Sequence, residues 1–285
     1  MPNINSFRIA TVAALLFFFS MSFTAQAQIL VAVEDGSANG TGADIVSQLN
    51  DDTWVDFSAT LVTADDIDTI GELNNYQVVI LGDSGTRDHD WTVAVSTALR
   101  DWVLAGGSAV LTGWGNYGMD QSNAIYDPLD EIFPTQNIAS TNQFDDANTV
   151  MSILQPGHPI FTGLSDFSFG VGCCTESNPL PLESNDVELA TIAGSTVVAI
   201  KAAGSGTTVY LGPVYMGNTG YYVAGLRSGD PDRLLEQGVA WAADGVVPID
   251  ASDSAPIPTM SQWALIVLSM LLGLMAFANR KRLFQ

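Results

Sequence analysis

The 285-residue chain carries 31 acidic against 9 basic side chains, a formal charge of −22, with 47% hydrophobic residues and two cysteines. That length builds one large domain or two small ones with a proper core, a single domain being the simpler arrangement. An acidic excess of this size excludes nucleic acid and anionic lipid as partners of the protein surface, and two cysteines cannot make a disulfide framework.

Arg8 is the only charged side chain before an apolar stretch from Ile9 to Phe23, and Ala25-Gln26-Ala27 supplies the small-x-small pattern of a signal peptidase site. Residues 1–27 are therefore expected to be a signal peptide cut before Gln28. The short apolar core and the small-residue site favour excision over a retained anchor.

Gln28 to Val33 reads as a short strand ending in Glu34-Asp35-Gly36, and Gly42 to Leu49 as a helix. Val55 to Val62 is expected as a strand and Asp65 to Leu73 as a helix. Val78-Val79-Ile80-Leu81, closed by Gly82-Asp83-Ser84, is a strand buried on both faces. A helix follows from Trp91 to Ala105, capped by Asp90, with Val95, Leu99, Trp102 and Val103 on one face. Gly106-Gly107 stops it, and Ser108 to Thr112 is a further strand ending in the loop Gly113-Trp114-Gly115-Asn116-Tyr117. Short connections make a right-handed parallel crossover the expected geometry.

Asp127 and Pro128 open a short helix, and Pro134 to Pro181 reads as loop. Cys173 and Cys174 fall inside it, either as a strained vicinal bridge or as buried free thiols. Val187–Ile192, Val197–Lys201 and Thr207–Leu211 are strands joined by turns at Gly194 and Gly204-Ser205-Gly206. Asp230-Pro231 starts a helix whose Leu235, Val239 and Ala242 face the sheet, and 248–258 is a Pro, Ser and Asp linker.

All the acidic residues lie between Glu34 and Asp253, opposed there only by Arg87, Arg100, Lys201, Arg227 and Arg233. Solubility accounts for such a surface better than cation binding does. Asp66-Ile67-Asp68-Thr69-Ile70-Gly71 comes nearest to a calcium loop, but Ile70 and Gln77 stand where ligands belong, so it reads as helix and loop. No cofactor is expected, with calcium as the one candidate.

From Trp263 to Ala278 the chain is uncharged and apolar, with Ser269 as the only polar side chain between Leu265 and Phe277. A helix at the edge of a globular domain keeps a polar stripe, so 263–278 is expected to span a membrane, slightly short but anchored by Trp263 and by Arg280, Lys281 and Arg282. The run Ile257-Pro258-Thr259-Met260-Ser261-Gln262-Trp263, the apolar segment and the basic cluster together resemble the IPTL-CTERM sorting signal of Gram-negative bacteria. That pattern usually has Leu where Met260 stands, and often Glu and Gly where Gln262 and Ala264 stand. The resemblance covers 259–285 and the residues just before it. It implies recognition and cutting by an exosortase-type enzyme, and a protein at the cell envelope or surface that is single-pass before processing.

The body, 28–247, resembles the class I glutamine amidotransferase-like fold, in particular its ThuA-like branch. The matching segments are Val78–Leu81, Leu99–Gly107, Ala109–Gly113, Gly157–Leu164 and Arg233–Trp241. This implies an α/β fold with a flavodoxin-like, doubly wound, mostly parallel sheet. The family's Cys-His-Glu machinery places its nucleophile on the turn after a central strand, yet Gly113-Trp114-Gly115-Asn116 offers no thiol or hydroxyl. The only histidines are His89, at an exposed helix entrance, and His158, before Pro159 in a loop role. Both precede the late position of the family's base, so glutaminase activity is not expected.

Doubly wound sheets bind ligands beyond the carboxyl ends of their strands. Those ends carry Glu34, Asp35, Asp83, Ser84, Trp114, Asn116 and Tyr117, a set suited to a sugar or a hydrated cation. Asp35 and Asp83 equally suit helix and turn caps. Three functions are compatible with this set. The first is a non-catalytic binding domain for a carbohydrate or protein ligand. The second is a hydrolase using Glu34 or Asp83 as acid or base, and the third a calcium-associated structural surface protein.

Overall fold

Strands form where β-branched and apolar runs stand between turn residues: β1 (Ile29–Glu34), β2 (Phe57–Val62), β3 (Val78–Leu81), β4 (Ser108–Thr112), β5 (Gln143–Asp145), β6 (Val150–Ile153), β7 (Phe167–Ser168), β8 (Thr175–Ser177), β9 (Asp186–Ile192), β10 (Ser195–Ala203) and β11 (Gly206–Leu211). The helices are α1 (Gly42–Leu49), α2 (Ile70–Leu73), α3 (Val93–Leu104), α4 (Gly113–Met119) and α5 (Gly229–Asp244). The computed structural model describes residues 28–34, 42–51, 53–82, 91–119, 124–135, 143–145, 149–169, 175–178, 182–215 and 224–244, without the side chains of 114, 117, 118, 143–145 and 224. All of these lie in the first of two units, Met1–Val247, and the second is Pro248–Gln285.

Among the described residues one sheet runs in the order β2-β1-β3-β4-β11-β10-β9-β6-β7, and β5 pairs with β8 as a separate antiparallel ribbon. From β2 to β11 the neighbours are parallel, in the 2-1-3-4 order of a flavodoxin-like winding. From β11 to β7 they are antiparallel, so the sheet as a whole is mixed. The cause is local. Ala193 at φ 50° and Gly194 at φ 88° take the left-handed backbone that a two-residue turn requires, so β9 folds straight back as β10.

Successive side chains of a strand point to opposite faces, and here both faces are covered. Val31, Val33, Val78, Ile80, Val110 and Leu211 pack with Ile45 and Leu49 of α1 and Leu235 and Val239 of α5. On the other face Ala32, Val79, Leu81, Ala109 and Leu111 pack with Val95, Leu99, Trp102 and Val103 of α3. This double burial is why Val78–Leu81 is uniformly apolar rather than alternating.

Four expectations need correcting. The helix over Asp65–Leu73 is instead a 3-10 turn, Ala64–Asp66, followed by the single turn α2. Thr63 with Asp66 and Thr69 with Glu72 each form a capping box, and Thr69, extended at φ −128° and ψ 151°, breaks the helix between them. The Asp66 carboxylate accepts from Thr63 N at 2.9 Å and Thr63 Oγ1 at 2.8 Å, so in this acidic run it serves as a cap. Helix α3 is capped by Thr92, whose hydroxyl accepts from Val95 N at 3.4 Å, rather than by Asp90. The stretch 134–181 holds β5, β6, β7, β8 and a 3-10 turn, Pro159–Phe161, because strands of two to four residues are too short to show a period. Gly113–Tyr117, read as the turn that ends β4, is instead part of helix α4.

No helix among the described residues is long and apolar enough to cross a membrane. The expected signal peptide at 1–27, the linker at 248–258 and the apolar segment at 263–278 lie outside the described residues, as do His89, Cys173 and Cys174.

Candidate functional site

The winding reverses at β1, which has β2 on one side and β3 on the other. Ligand crevices in such sheets lie beyond the carboxyl ends of the strands at that point. Glu34 is the last residue of β1, in register with Val62 and Leu81, and its side chain is wholly buried. Leu81 is in register with Leu111, so the ends of β1, β3 and β4 lie side by side, about 4.8 Å apart from one to the next. Thr112, also buried, donates Oγ1 to Leu81 O at 3.1 Å and ties two of these ends together.

Helix α4 begins directly after β4. Gly113 N donates to Pro213 O at 3.2 Å, and a Cβ on Gly113 would overlap Gly212 O, so only glycine lets the chain pass there. Asn116 is buried, and its Nδ2 has no hydrogen-bond partner among the described residues. Trp114 and Tyr117 are carried by the same helix. Of the expected set, Glu34, Trp114, Asn116 and Tyr117 therefore stand at or just beyond the carboxyl edge of the sheet, while Asp35, Asp83 and Ser84 lie outside the described residues.

Glu176 was not anticipated. It sits wholly buried on β8, its backbone N donates to Gly212 O at 2.8 Å, and its carbonyl accepts from Tyr210 Oη at 2.7 Å. A second buried carboxyl group thus enters the neighbourhood of Gly113 through the loop after β11. A three-residue strand next to two cysteines gave no pattern by which to find it.

His158 has a structural post. Its Nδ1 accepts from Ile160 N at 3.3 Å, capping the Pro159–Phe161 turn, and its ring packs on Trp241 at 5.2 Å. Burial pushes its pKa down to about 4. A neutral ring with one nitrogen spent on a backbone amide orients the turn, which is the loop role expected of it.

Away from the sheet edge, α5 carries two buried carboxyl groups. Asp232 accepts from Gln48 Nε2 at 2.5 Å and from Trp54 Nε1 at 3.0 Å, and Glu236 accepts from the backbone N of Trp54 at 3.1 Å and Val55 at 2.8 Å. Burial raises both pKa values, that of Glu236 to about 7, with the neighbouring Asp232 and Asp51 charges adding to the effect. Asp232 Oδ2 and Glu236 Oε2 clamp the segment entering β2 onto α5, Asp232 Oδ1 ties Gln48 of α1 to the same helix, and the buried Glu236 Oε1 has no hydrogen-bond partner among the described residues.

The fold belongs to a recognisable class of α/β protein. ThuA-like proteins of known structure are similar to it. One from Bacteroides uniformis is 14% identical with a TM-score of 0.55, covering 78% of this chain and 94% of that one. One from Parabacteroides merdae is 14% identical with a TM-score of 0.52, covering 81% and 94%. A cytoplasmic protein of Salmonella typhimurium is 13% identical with a TM-score of 0.57, covering 76% and 99%. At these identities the likeness establishes the fold alone. No curated protein matches the chain. More particular is the tail, where residues 255–282 match the IPTL-CTERM motif. That motif is a sorting signal processed in general by exosortase-like enzymes, and it implies export and anchoring at the membrane or surface.

Proposed function

We propose that this protein is an exported binding domain of ThuA-like fold, held at the cell envelope or surface of a Gram-negative bacterium and devoid of amidotransferase chemistry. In this reading 1–27 is removed on export, 28–247 is the working domain, 248–258 is the linker, and 259–285 is the sorting signal with its membrane helix at 263–278. An exosortase-type enzyme is the processing partner. Glu34, Asp35, Asp83, Ser84, Trp114, Asn116 and Tyr117 form the ligand face, for a carbohydrate or a protein.

One observation carries the reading. In a chain that bears the IPTL-CTERM motif, the position after β4 that would hold a nucleophile is the opening turn of α4, Gly113-Trp114-Gly115-Asn116, with neither thiol nor hydroxyl. A hydroxyl or thiol is what covalent acyl transfer requires. The test is a turnover screen of the full-length chain against amide and glycan substrates. No turnover is expected; turnover that disappears in Glu34→Gln or Asp83→Ala would establish the hydrolase instead.

A further inference from the structure

Among the described residues the sheet ends in β2 on one side and β7 on the other. An edge strand presents a row of unpaired backbone groups, a template for pairing with another chain, and proteins blunt such edges with charges, proline, bulges or very short strands. β7 has only two residues. β2 runs for six, Phe57-Ser58-Ala59-Thr60-Leu61-Val62, in unbroken register with β1 and with neither a charge nor a proline, in a chain of formal charge −22. An uncharged, proline-free strand of this length carries the signature of a self-pairing segment.

One side chain closes this edge. Ile29 N donates to Asp56 O, so Ser58, Thr60 and Val62 turn their peptide groups to β1, while Phe57, Ala59 and Leu61 turn theirs outward. Asn50, the residue after α1, sets its side-chain amide against the middle of that outward row. Its Nδ2 donates to Ala59 O at 3.0 Å, and its Oδ1 accepts from Ala59 N at 2.7 Å. These are the two bonds that a residue of a neighbouring strand would make. The backbone N of Asn50 donates to Val46 O at 3.1 Å, so the last turn of α1 holds the amide in place. The far side of the sheet uses the same device. Where β7 stops short, Ile153 N of β6 is taken by Asp166 Oδ1 at 2.8 Å.

We propose that Asn50 is a plug that keeps β2 from pairing with a second copy of this chain. The excluded partner follows from the strand itself. Laid antiparallel about a two-fold axis through Ala59, two copies of β2 set Ala59 opposite Ala59 and Phe57 opposite Leu61, each pair exchanging both backbone bonds. Asn50 occupies the centre of that pairing, so its amide must leave before a second strand enters. The IPTL-CTERM tail, which implies anchoring at a membrane or surface, crowds copies of the same chain together, and an open β2 meets its own kind first. The inference does not depend on the ligand face at the carboxyl edge.

The test uses the full-length chain in a zwitterionic detergent at about 0.5 M sodium chloride, which screens the acidic surfaces. Protein mass per particle is read by light scattering between about 1 and 100 µM, and hydrogen exchange in peptides spanning β2 is read in the same samples. Asn50→Ala is expected to approach about twice the mass of the unaltered chain, which carries the same tail, at the top of this range. Its β2 amides exchange at least about tenfold faster than those of the unaltered chain at the lowest concentration and regain protection at the highest. Adding Leu61→Lys, which puts a charge at an exposed position of the edge, returns the mass to that of the unaltered chain, and a native circular dichroism spectrum of this double variant shows that the fold survives the loss of Asn50. A mass for Asn50→Ala equal to that of the unaltered chain at every concentration overturns the inference, even where stability falls, because a merely structural Asn50 gives that result. Association that persists with Leu61→Lys overturns it too, since it runs through another surface.

Discussion

His158 and Glu236 titrate in opposite senses. The folded pKa of His158, about 4, is below its ordinary 6.5, so the stabilisation from its neutral ring is complete above pH 6.5 and is lost as pH falls towards 4. Glu236 is raised from 4.5 to about 7, so its contribution is complete below pH 4.5 and is lost as pH rises through 7. Glu236→Gln keeps an oxygen for the Trp54 and Val55 amides and removes the charge that faces Asp232. Stability at pH 8 should rise by about 1–2 kcal/mol, with little change at pH 4.5, as read by urea denaturation at the two pH values. An equal loss at both would show that Glu236 is held charged.

At the scale of elements, the close approach of α4 to the loop after β11 makes Gly113 irreplaceable. Gly113→Ala would press a methyl group onto Gly212 O and should cost more than about 2 kcal/mol, measurable as a lowered urea midpoint. A neutral outcome would mean that the junction yields. This junction also shows what sequence can and cannot reveal. Val78–Leu81 and Ala109–Leu111 declare themselves as strand because burial on both faces demands an apolar residue at each of these positions. Gly113–Met119 does not declare itself as a helix, since two of its first three residues are glycine and packing, not propensity, forms it. The positions of Glu34 and Asn116 at the carboxyl edge can be read from the sequence because strand ends are legible. That of Glu176 cannot, because it reaches the neighbourhood on a strand of three residues whose place is fixed by distant partners, Tyr210 and Gly212.

For the molecule as a whole, the acidic excess acts over longer distances. Like charges spread between Glu34 and Asp253 repel one another in the folded state, and salt screens that repulsion. Raising sodium chloride from about 0.05 to 0.5 M, which shortens the screening length from about 14 to 4 Å, should raise the thermal midpoint. A midpoint that falls or stays flat would mean that specific ion pairs, such as Lys201 with Glu183 at 3.2 Å, outweigh the general repulsion. The sheet itself has an unequal construction. The β9–β10–β11 hairpins close over two-residue turns as soon as they are made, whereas β4 waits for β11, and Thr112 meets Leu211 only after everything between them has been synthesised. Contacts so remote in sequence form slowly. The parallel half therefore has three of its four pairings within residues 29–112 and stays open along one flank, that of β4, until the strand ending at residue 211 arrives to seal it.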